Sequence, residues 1–284
     1  MARRGMASAL ISSLIFSRNR PAQLDALLMS LERNAPGVFD ITVLWRSTSP
    51  EFYRGYLRLL EINSYASILE HEGDFRTDVM RYLPERGPVV FFTDDSILYR
   101  PLPSIPDVFG ADLAAFSLRL GANTTRCYPH NRDQRVPDQF ETLWWPDEAA
   151  NQTAMWDWRE ADGDFGYPAS LDGHIMLATD VRHMIGNQGF TNPNTLEDVL
   201  AFHARGRLPH ALAAFGQSCL VGIPANRVAD THDTNRAGDL SSYSIETLNS
   251  LFLDGYRVNI DAMDWTLVDG AHSEIPLVLE KELA

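Results

Sequence analysis

The chain has 284 residues, of which 45% are hydrophobic and 22% charged, and this composition is that of an ordinary globular protein. Its formal net charge at pH 7 is −14, and so acidic a surface repels phosphate backbones, which argues against nucleic-acid binding. Two cysteines, Cys127 and Cys219, cannot build a disulfide framework, so a reducing compartment is the simpler expectation.

The N-terminus has two arginines before an apolar run, the order found in secretory signals. However, no small-residue cleavage site follows, because residues 17–21 include two more arginines and a proline. No apolar run in the chain reaches the length that a membrane span requires. We therefore expect a soluble, cytoplasmic protein without a transmembrane segment.

The first hundred residues alternate between strand and helix patterns. Short apolar runs predict buried strands, and apolar residues three and four positions apart predict helices. The predicted strands cover residues 9–17, 41–45, 65–69 and 89–92, and the predicted helices run from 21 to Gly37, from 49 to 60 and from 74 to 83. This alternation implies an α/β fold whose central sheet is mixed, mostly parallel and flanked by helices.

The second half of the chain has a different pattern. Residues 111–118 predict another strand, whereas residues 121–169 are rich in Asn, Asp, Pro and aromatic side chains and predict a long functional loop. Helical spacing resumes over residues 171–185. Two further helices are predicted over residues 195–203, N-capped at Thr195 or Asn194, and over residues 245–253. No repeat or linker separates these parts, so we expect a single domain.

Common catalytic signatures are missing from the sequence. It contains no P-loop, no G-x-G-x-x-G after a strand, no H-E-x-x-H and no G-x-S-x-G. Instead, the apolar run at residues 89–92 ends in Thr93, Asp94 and Asp95. Ligands of open α/β sheets bind outside the carboxyl ends of strands, where adjacent carboxylates can hold a divalent cation that neutralises a diphosphate. The alternative is a solvated turn in which an Asp serves as a cap.

With two acids after its fourth strand, the chain resembles nucleotide-sugar-dependent glycosyltransferases of the GT-A fold, nearest to the family 2-like enzymes. In that family a polar segment follows the first strand, as residues 17–21 do here, and a D-x-D motif follows the fourth. The resemblance implies one Rossmann-like domain, in which residues 1–105 bind the nucleotide-sugar and residues 106–284 bind the acceptor. It also implies that Asp95 holds Mn²⁺ or Mg²⁺ and that Asp94 contacts the ribose, although Thr93 replaces the usual first acid.

The resemblance implies roles for two later residues. In inverting members an acid at the place of Asp172 deprotonates the acceptor hydroxyl, which suits a group that is ionised at neutral pH. The alternative is that Asp172 is only an acid in the first turn of a helix, where the helix dipole favours a negative charge. Several GT-A enzymes complete the metal site with a late His, which would be His272 as a neutral imidazole. The alternative is that His272 is an ordinary surface histidine. His174 is the second candidate for the metal-binding histidine.

Basic residues are scarce, which makes those at predicted strand ends informative. Arg18, Arg20, Arg46 and Arg76 all fall where the first three strands deliver their loops, and Ser17 lies beside them. An arginine fork suits a diphosphate or a base carbonyl, so these residues predict the donor nucleotide site. The alternative for each arginine alone is a solvated surface charge.

Four tryptophans lie in the long segment after the predicted fifth strand: Trp144, Trp145, Trp156 and Trp158. Aromatic faces stack on the C–H faces of sugars while their edges stay wet, so these indoles predict an acceptor platform.

These features together predict a metal-dependent glycosyltransferase that moves a sugar from a nucleotide diphosphate-sugar to a hydroxyl of a saccharide or another acceptor. Two alternatives stay open. A nucleotidyltransferase shares the sheet and the metal carboxylates, but it normally carries a Gly-rich segment with a Lys or Arg after the first strand, and residues 17–21 contain no glycine. A non-catalytic carbohydrate-binding protein would bind no nucleotide.

Overall fold

The computed structural model describes residues 10–71, 73–106, 112–142, 151–226 and 243–282. Within these ranges lie six α-helices: Pro21–Asn34 (α1), Pro50–Ile62 (α2), Phe75–Tyr82 (α3), Ala178–Ile185 (α4), Pro193–Arg207 (α5) and Ile245–Leu253 (α6). The strands in the same ranges are Ile11–Arg18 (β1), Phe39–Arg46 (β2), Ser67–Glu70 (β3), Pro88–Thr93 (β4), Ser96–Leu98 (β5), Leu113–Ser117 (β6), Arg126–Cys127 (β7), Arg132–Asp133 (β8), Thr153–Asp157 (β9), His174–Leu177 (β10), Ala211–Phe215 (β11), Leu220–Gly222 (β12), Tyr256–Val258 (β13) and Leu279–Lys281 (β14).

Eight of these strands form the central sheet, in the order β3-β2-β1-β4-β10-β6-β11-β9. The pairs β3–β2, β2–β1, β1–β4 and β6–β11 are parallel, whereas β10 is antiparallel to both its neighbours and β9 is antiparallel to β11. An α/β fold with a mixed, mostly parallel sheet flanked by helices is thereby confirmed.

Helices cover both faces of the sheet because its central strands are apolar on both sides. On one face Ile15 and Phe92 pack with Leu24 and Leu28 of α1. On the other face Phe91 belongs to a cluster that includes residues of α3, α4 and α5. Burial on both faces is what parallel central strands require, and it explains the continuous apolar runs of β1 and β4.

The predicted order of elements up to β4 is confirmed, with boundaries that differ by a few residues. Local signals set the helix starts. Ser49 caps α2 by accepting from the Phe52 N–H at 3.4 Å, and Asp74 caps α3 by accepting from the Thr77 N–H at 2.9 Å. Pro21 opens α1, where its missing N–H costs nothing.

The predicted helix over residues 171–185 is wrong in its first half. Residues His174–Leu177 form β10 in the middle of the sheet, and the helix starts only at Ala178. Gly173 precedes the strand with a φ of +72°, a conformation that favours glycine, and its N–H donates to the Phe91 carbonyl at 2.8 Å. Asp172 therefore precedes a strand, so the helix-dipole explanation for this acid does not apply.

Two other boundaries need correction. The N-cap of α5 is Asn192, which forms a capping box with Thr195, so the helix begins two residues earlier than predicted. The predicted long loop at 121–169 contains a short β7–β8 hairpin and β9, and β9 is the outer strand of the sheet beside β11.

Strand directions bring several of the predicted site residues to one edge of the sheet. β1, β2, β4 and β6 all end there, and β10 begins there because it runs the opposite way.

Cys127 and Cys219 are both buried and unpaired. No helix in the described ranges is long and apolar enough to span a bilayer.

Candidate functional site

A cavity of about 840 Å³ opens at this carboxyl edge of the sheet, within the size range of small-molecule sites. It lies between the ends of β1, β2 and β4, the loop after β6, the segment before β10 and the start of α5. The predicted residues that line it are Ser17, Arg18, Arg20, Arg46, Asp94, Asp95, Asp172 and His272.

Arg20 and Asp94 form a buried ion pair in the cavity floor. The Arg20 Nη1 donates to Asp94 Oδ1 at 3.0 Å and to Asp95 Oδ2 at 3.1 Å. Asp94 also accepts from the Ser17 hydroxyl at 2.8 Å and from the Arg18 N–H at 3.1 Å. Burial raises the pKa of Asp94 to about 6, although the charge of Arg20 opposes that shift. Asp94 therefore connects the end of β4 to the end of β1 through hydrogen bonds, and it is too buried to be a main ligand contact.

Thr93 lies between two carboxylates. Its hydroxyl oxygen is 2.8 Å from Asp95 Oδ1 and 2.5 Å from Asp172 Oδ1. A hydroxyl has one proton, so Thr93 donates to only one of the two at a time. Thr93 is thus a neutral group at a position where a third carboxylate would repel these two.

An arginine and a histidine face Asp172. Its Oδ2 is 3.4 Å from Arg119 Nη1 and 3.4 Å from His272 Nε2. Burial would raise the pKa of Asp172, but the hydrogen bond with His272, the charge of Arg119 and the hydroxyl of Thr93 hold it well below its usual range. Burial would likewise lower the pKa of His272, yet the hydrogen bond with Asp172 raises it. Asp172 is therefore held as a carboxylate.

The predicted arginines do not all meet at the cavity. Arg18 and Arg46 are exposed register partners at the ends of β1 and β2, and neither forms an ion pair with a described residue. Like charges side by side on neighbouring strands repel each other, so this pair suits an anionic ligand. Arg76 lies elsewhere, because its guanidinium donates to the carbonyls of Gln188 at 2.9 Å and Gly186 at 2.6 Å.

The predicted acceptor platform is not supported where the structure describes it. Trp156 and Trp158 are only 4% and 2% exposed and belong to the hydrophobic core. Their indole N–H groups donate to the carbonyls of Phe165 at 3.0 Å and Pro209 at 2.7 Å, so neither offers a free ring face to a sugar. Trp144 and Trp145 lie outside the described residues.

Arg119 is a site residue that the sequence analysis missed. It is 5% exposed, lines the cavity, and donates to Ser170 Oγ at 2.6 Å and to Asp164 Oδ1 at 3.2 Å. It comes two residues after the end of β6, a strand-end position like those of Arg18 and Arg46.

Glu197 was also missed as a site residue. It is half-buried on α5, lines the cavity and accepts from the Leu171 N–H at 3.1 Å. Burial, and then the charge of Asp172, raise the pKa of Glu197 to about 7. Acids are common in the first turns of helices, so nothing in the sequence pattern singles Glu197 out.

The described residues contain no group of three or more His, Cys, Asp or Glu side chains arranged to hold a metal ion. Asp95 and His272 nevertheless both line the cavity, and their side chains are 19% and 20% exposed. A carboxylate and an imidazole are suitable ligands for Mn²⁺. Among the described residues the Nδ1 of His272 has no hydrogen-bond partner, and its Nε2 lies 3.4 Å from Asp172 Oδ2. The donor chemistry of this pair fits a divalent cation.

Comparison with protein-family models and with curated proteins finds no match to this sequence. What the site can do is therefore inferred from its geometry. Its lining combines two arginines that have no ion pair with a described residue, the Asp95 carboxylate and the His272 imidazole, and two further carboxyl groups, Asp172 and Glu197.

Proposed function

We propose that the protein is a metal-dependent glycosyltransferase of the GT-A type, which moves a sugar from a nucleotide diphosphate-sugar to a hydroxyl acceptor. The observation that carries this proposal is a single cavity lined both by Arg18 and Arg46 and by the acids at the end of the fourth strand. Ligands of open α/β sheets bind at this edge.

The donor would occupy the side formed by β1, β2 and β4. Arg18 and Arg46, which have no ion pair with a described residue, would supply positive charge for its phosphates or a base carbonyl, and Ser17 lines the same side. Asp95 and His272 would hold the divalent cation. When bound, that cation supplies charge stabilisation for the departing diphosphate.

The acceptor would occupy the opposite side, between the segment before β10 and the start of α5. A carboxylate there can take the proton that the acceptor hydroxyl loses as the new bond forms. Asp172 is the candidate base by position, and it faces the cavity beside Asp95 and His272.

Product analysis tests this proposal. The protein is incubated with sugar conjugates of UDP, GDP, CDP and dTDP, with Mn²⁺ or Mg²⁺, and the released nucleoside diphosphate is quantified. We expect release from at least one donor, dependent on the cation and strongly reduced in Asp95→Asn. No release from any donor by the folded protein would contradict the proposal. Formation of a nucleotide-sugar from a nucleoside triphosphate and a sugar 1-phosphate would instead identify a nucleotidyltransferase.

A further inference from the structure

Two carboxyl groups face the acceptor side of the cavity, and their surroundings differ. Both oxygens of Asp172 are engaged by protein groups: Oδ1 contacts Thr93 at 2.5 Å, and Oδ2 contacts Arg119 and His272 at 3.4 Å each. A substrate hydroxyl would have to compete with Thr93, Arg119 and His272 for these oxygens.

Glu197 has no ion pair with any described residue. Its Oε1 accepts from the Leu171 N–H at 3.1 Å, and the hydroxyl of Ser170 also donates to it. Ser170 Oγ already accepts from Arg119 Nη1 at 2.6 Å and from the Asp172 N–H at 3.2 Å, so its own proton is left for Glu197. The 170–172 segment thus holds Glu197 in place by hydrogen bonds, and the carboxylate can still accept a proton from a substrate hydroxyl.

The groups around Glu197 bring its pKa close to neutral pH. Asp172 faces it from the segment before β10, Arg119 from the loop after β6 and Tyr167 from the segment after β9, while Asp198 follows it on α5. Burial is the largest influence and the charge of Asp172 the next, and together they raise the pKa of Glu197 to about 7 against the opposing charge of Arg119. A general base works best when its pKa lies near the operating pH.

We infer that Glu197, rather than Asp172, takes the proton of the acceptor hydroxyl; this inference rests on the proposed glycosyl transfer. In that step the acceptor O–H proton moves to a Glu197 carboxylate oxygen. The acceptor oxygen bonds to the anomeric carbon, the bond from that carbon to the diphosphate oxygen breaks, and the diphosphate leaves with the electron pair. Asp172 is then a positioning residue that holds Arg119 and His272 around the reaction site.

The test is the pH profile of nucleoside diphosphate release, measured with the donor that turns over and with methyl glycosides as acceptors. The wild-type rate should fall as pH drops below about 7, because Glu197 then carries the proton that a base must lack. Glu197→Gln should reduce transfer by about 10²–10⁴-fold and remove this acid limb. Glu197→Asp should restore part of the rate. Asp180→Asn is the matched control, since burial also raises the pKa of that carboxyl but it lies on α4, outside the cavity.

The outcomes separate this inference from the proposed function. If the wild-type protein transfers sugar and Glu197→Gln keeps both the rate and the acid limb, the Glu197 assignment is overturned and the glycosyltransferase stands. If the wild-type protein releases no diphosphate, both are overturned. Carbon-13 NMR of the glutamate carboxyl groups gives a readout without turnover: one resonance should titrate near neutral pH and vanish in Glu197→Gln. Titration of Glu197 at the pH of an ordinary glutamate would overturn the assignment.

Discussion

Loss of Arg20 should destabilise the fold, and more so at high pH than at low pH. Its side chain is 8% exposed and neutralises Asp94 and Asp95 at 3.0 and 3.1 Å, while its Nε donates to Asn226 Oδ1 at 2.8 Å. Removal of one partner from a buried pair leaves an uncompensated charge and costs about 3–5 kcal/mol. We therefore expect Arg20→Gln to lower the free energy of unfolding by about that amount at pH 8.

The pH dependence follows from Asp94. Its pKa is raised from 3.8 to about 6 in the folded protein, so the stability it contributes is fully present below pH 3.8 and is lost as pH rises through 6. Without Arg20 the pKa of Asp94 should rise further. Asp94 would then be neutral in the variant at pH 5 and charged without its counterion at pH 8. The loss of stability relative to wild type should therefore be smaller at pH 5.

Urea unfolding followed by circular dichroism at both pH values measures this difference. Arg132→Gln serves as the control, because Arg132 forms an ion pair of 2.6 Å with Asp162 in which both side chains are at least 40% exposed. That variant should stay near wild-type stability at both pH values. A loss in Arg20→Gln that is equal at pH 5 and pH 8, or below about 1 kcal/mol at pH 8, would refute the account of the buried pair.

Three further predictions concern the cavity and the core. Asp95→Asn should abolish the manganese-dependent part of nucleotide binding in calorimetric titration, and His272→Ala should weaken it less, because a carboxylate holds a hard cation better than a neutral ligand; unchanged, metal-dependent affinity in Asp95→Asn would exclude it as a ligand. The raised pKa of Glu197 should make wild-type stability fall as pH rises from 4.5 to about 7, and Glu197→Gln should flatten that slope in denaturant titrations, whereas an unaltered slope would contradict the assignment. Trp156→Ala should cost about 3–5 kcal/mol of stability, as expected for a buried indole, and a variant that unfolds like wild type would show that Trp156 is not a core residue.

The first half of the fold could be predicted from the sequence because its signals are local. The apolar runs of β1 and β4 mark strands buried on both faces, and Pro21, Ser49 and Asp74 mark helix starts. The second half could not be predicted as well. In β10 a strand of four residues runs directly into α4, and a short apolar run does not distinguish a buried strand from a buried helix.

Several site residues were predictable because strand ends deliver ligand contacts to one edge of a sheet. Arg18, Arg46 and Asp95 follow that rule, and Arg119 would have followed it too. Burial and pairing were not predictable, because they depend on residues distant in sequence. The tryptophans are an example: Trp156 lies in the core because β9 joins the sheet beside β11, which its own sequence does not indicate.

The central claim is that the cavity binds a nucleotide diphosphate through its arginines, with a divalent cation at Asp95. Thermal unfolding of the wild-type protein with UDP, GDP, CDP and dTDP, each with and without Mn²⁺, tests it most directly. A diphosphate present at a hundred times its Kd should stabilise the folded state by about 2.7 kcal/mol. We predict that at least one of the four raises the melting temperature, more with Mn²⁺ than without, and that Arg18→Gln combined with Arg46→Gln reduces this shift while Arg76→Gln does not. A melting temperature unchanged by all four diphosphates, with and without the metal, would contradict the claim.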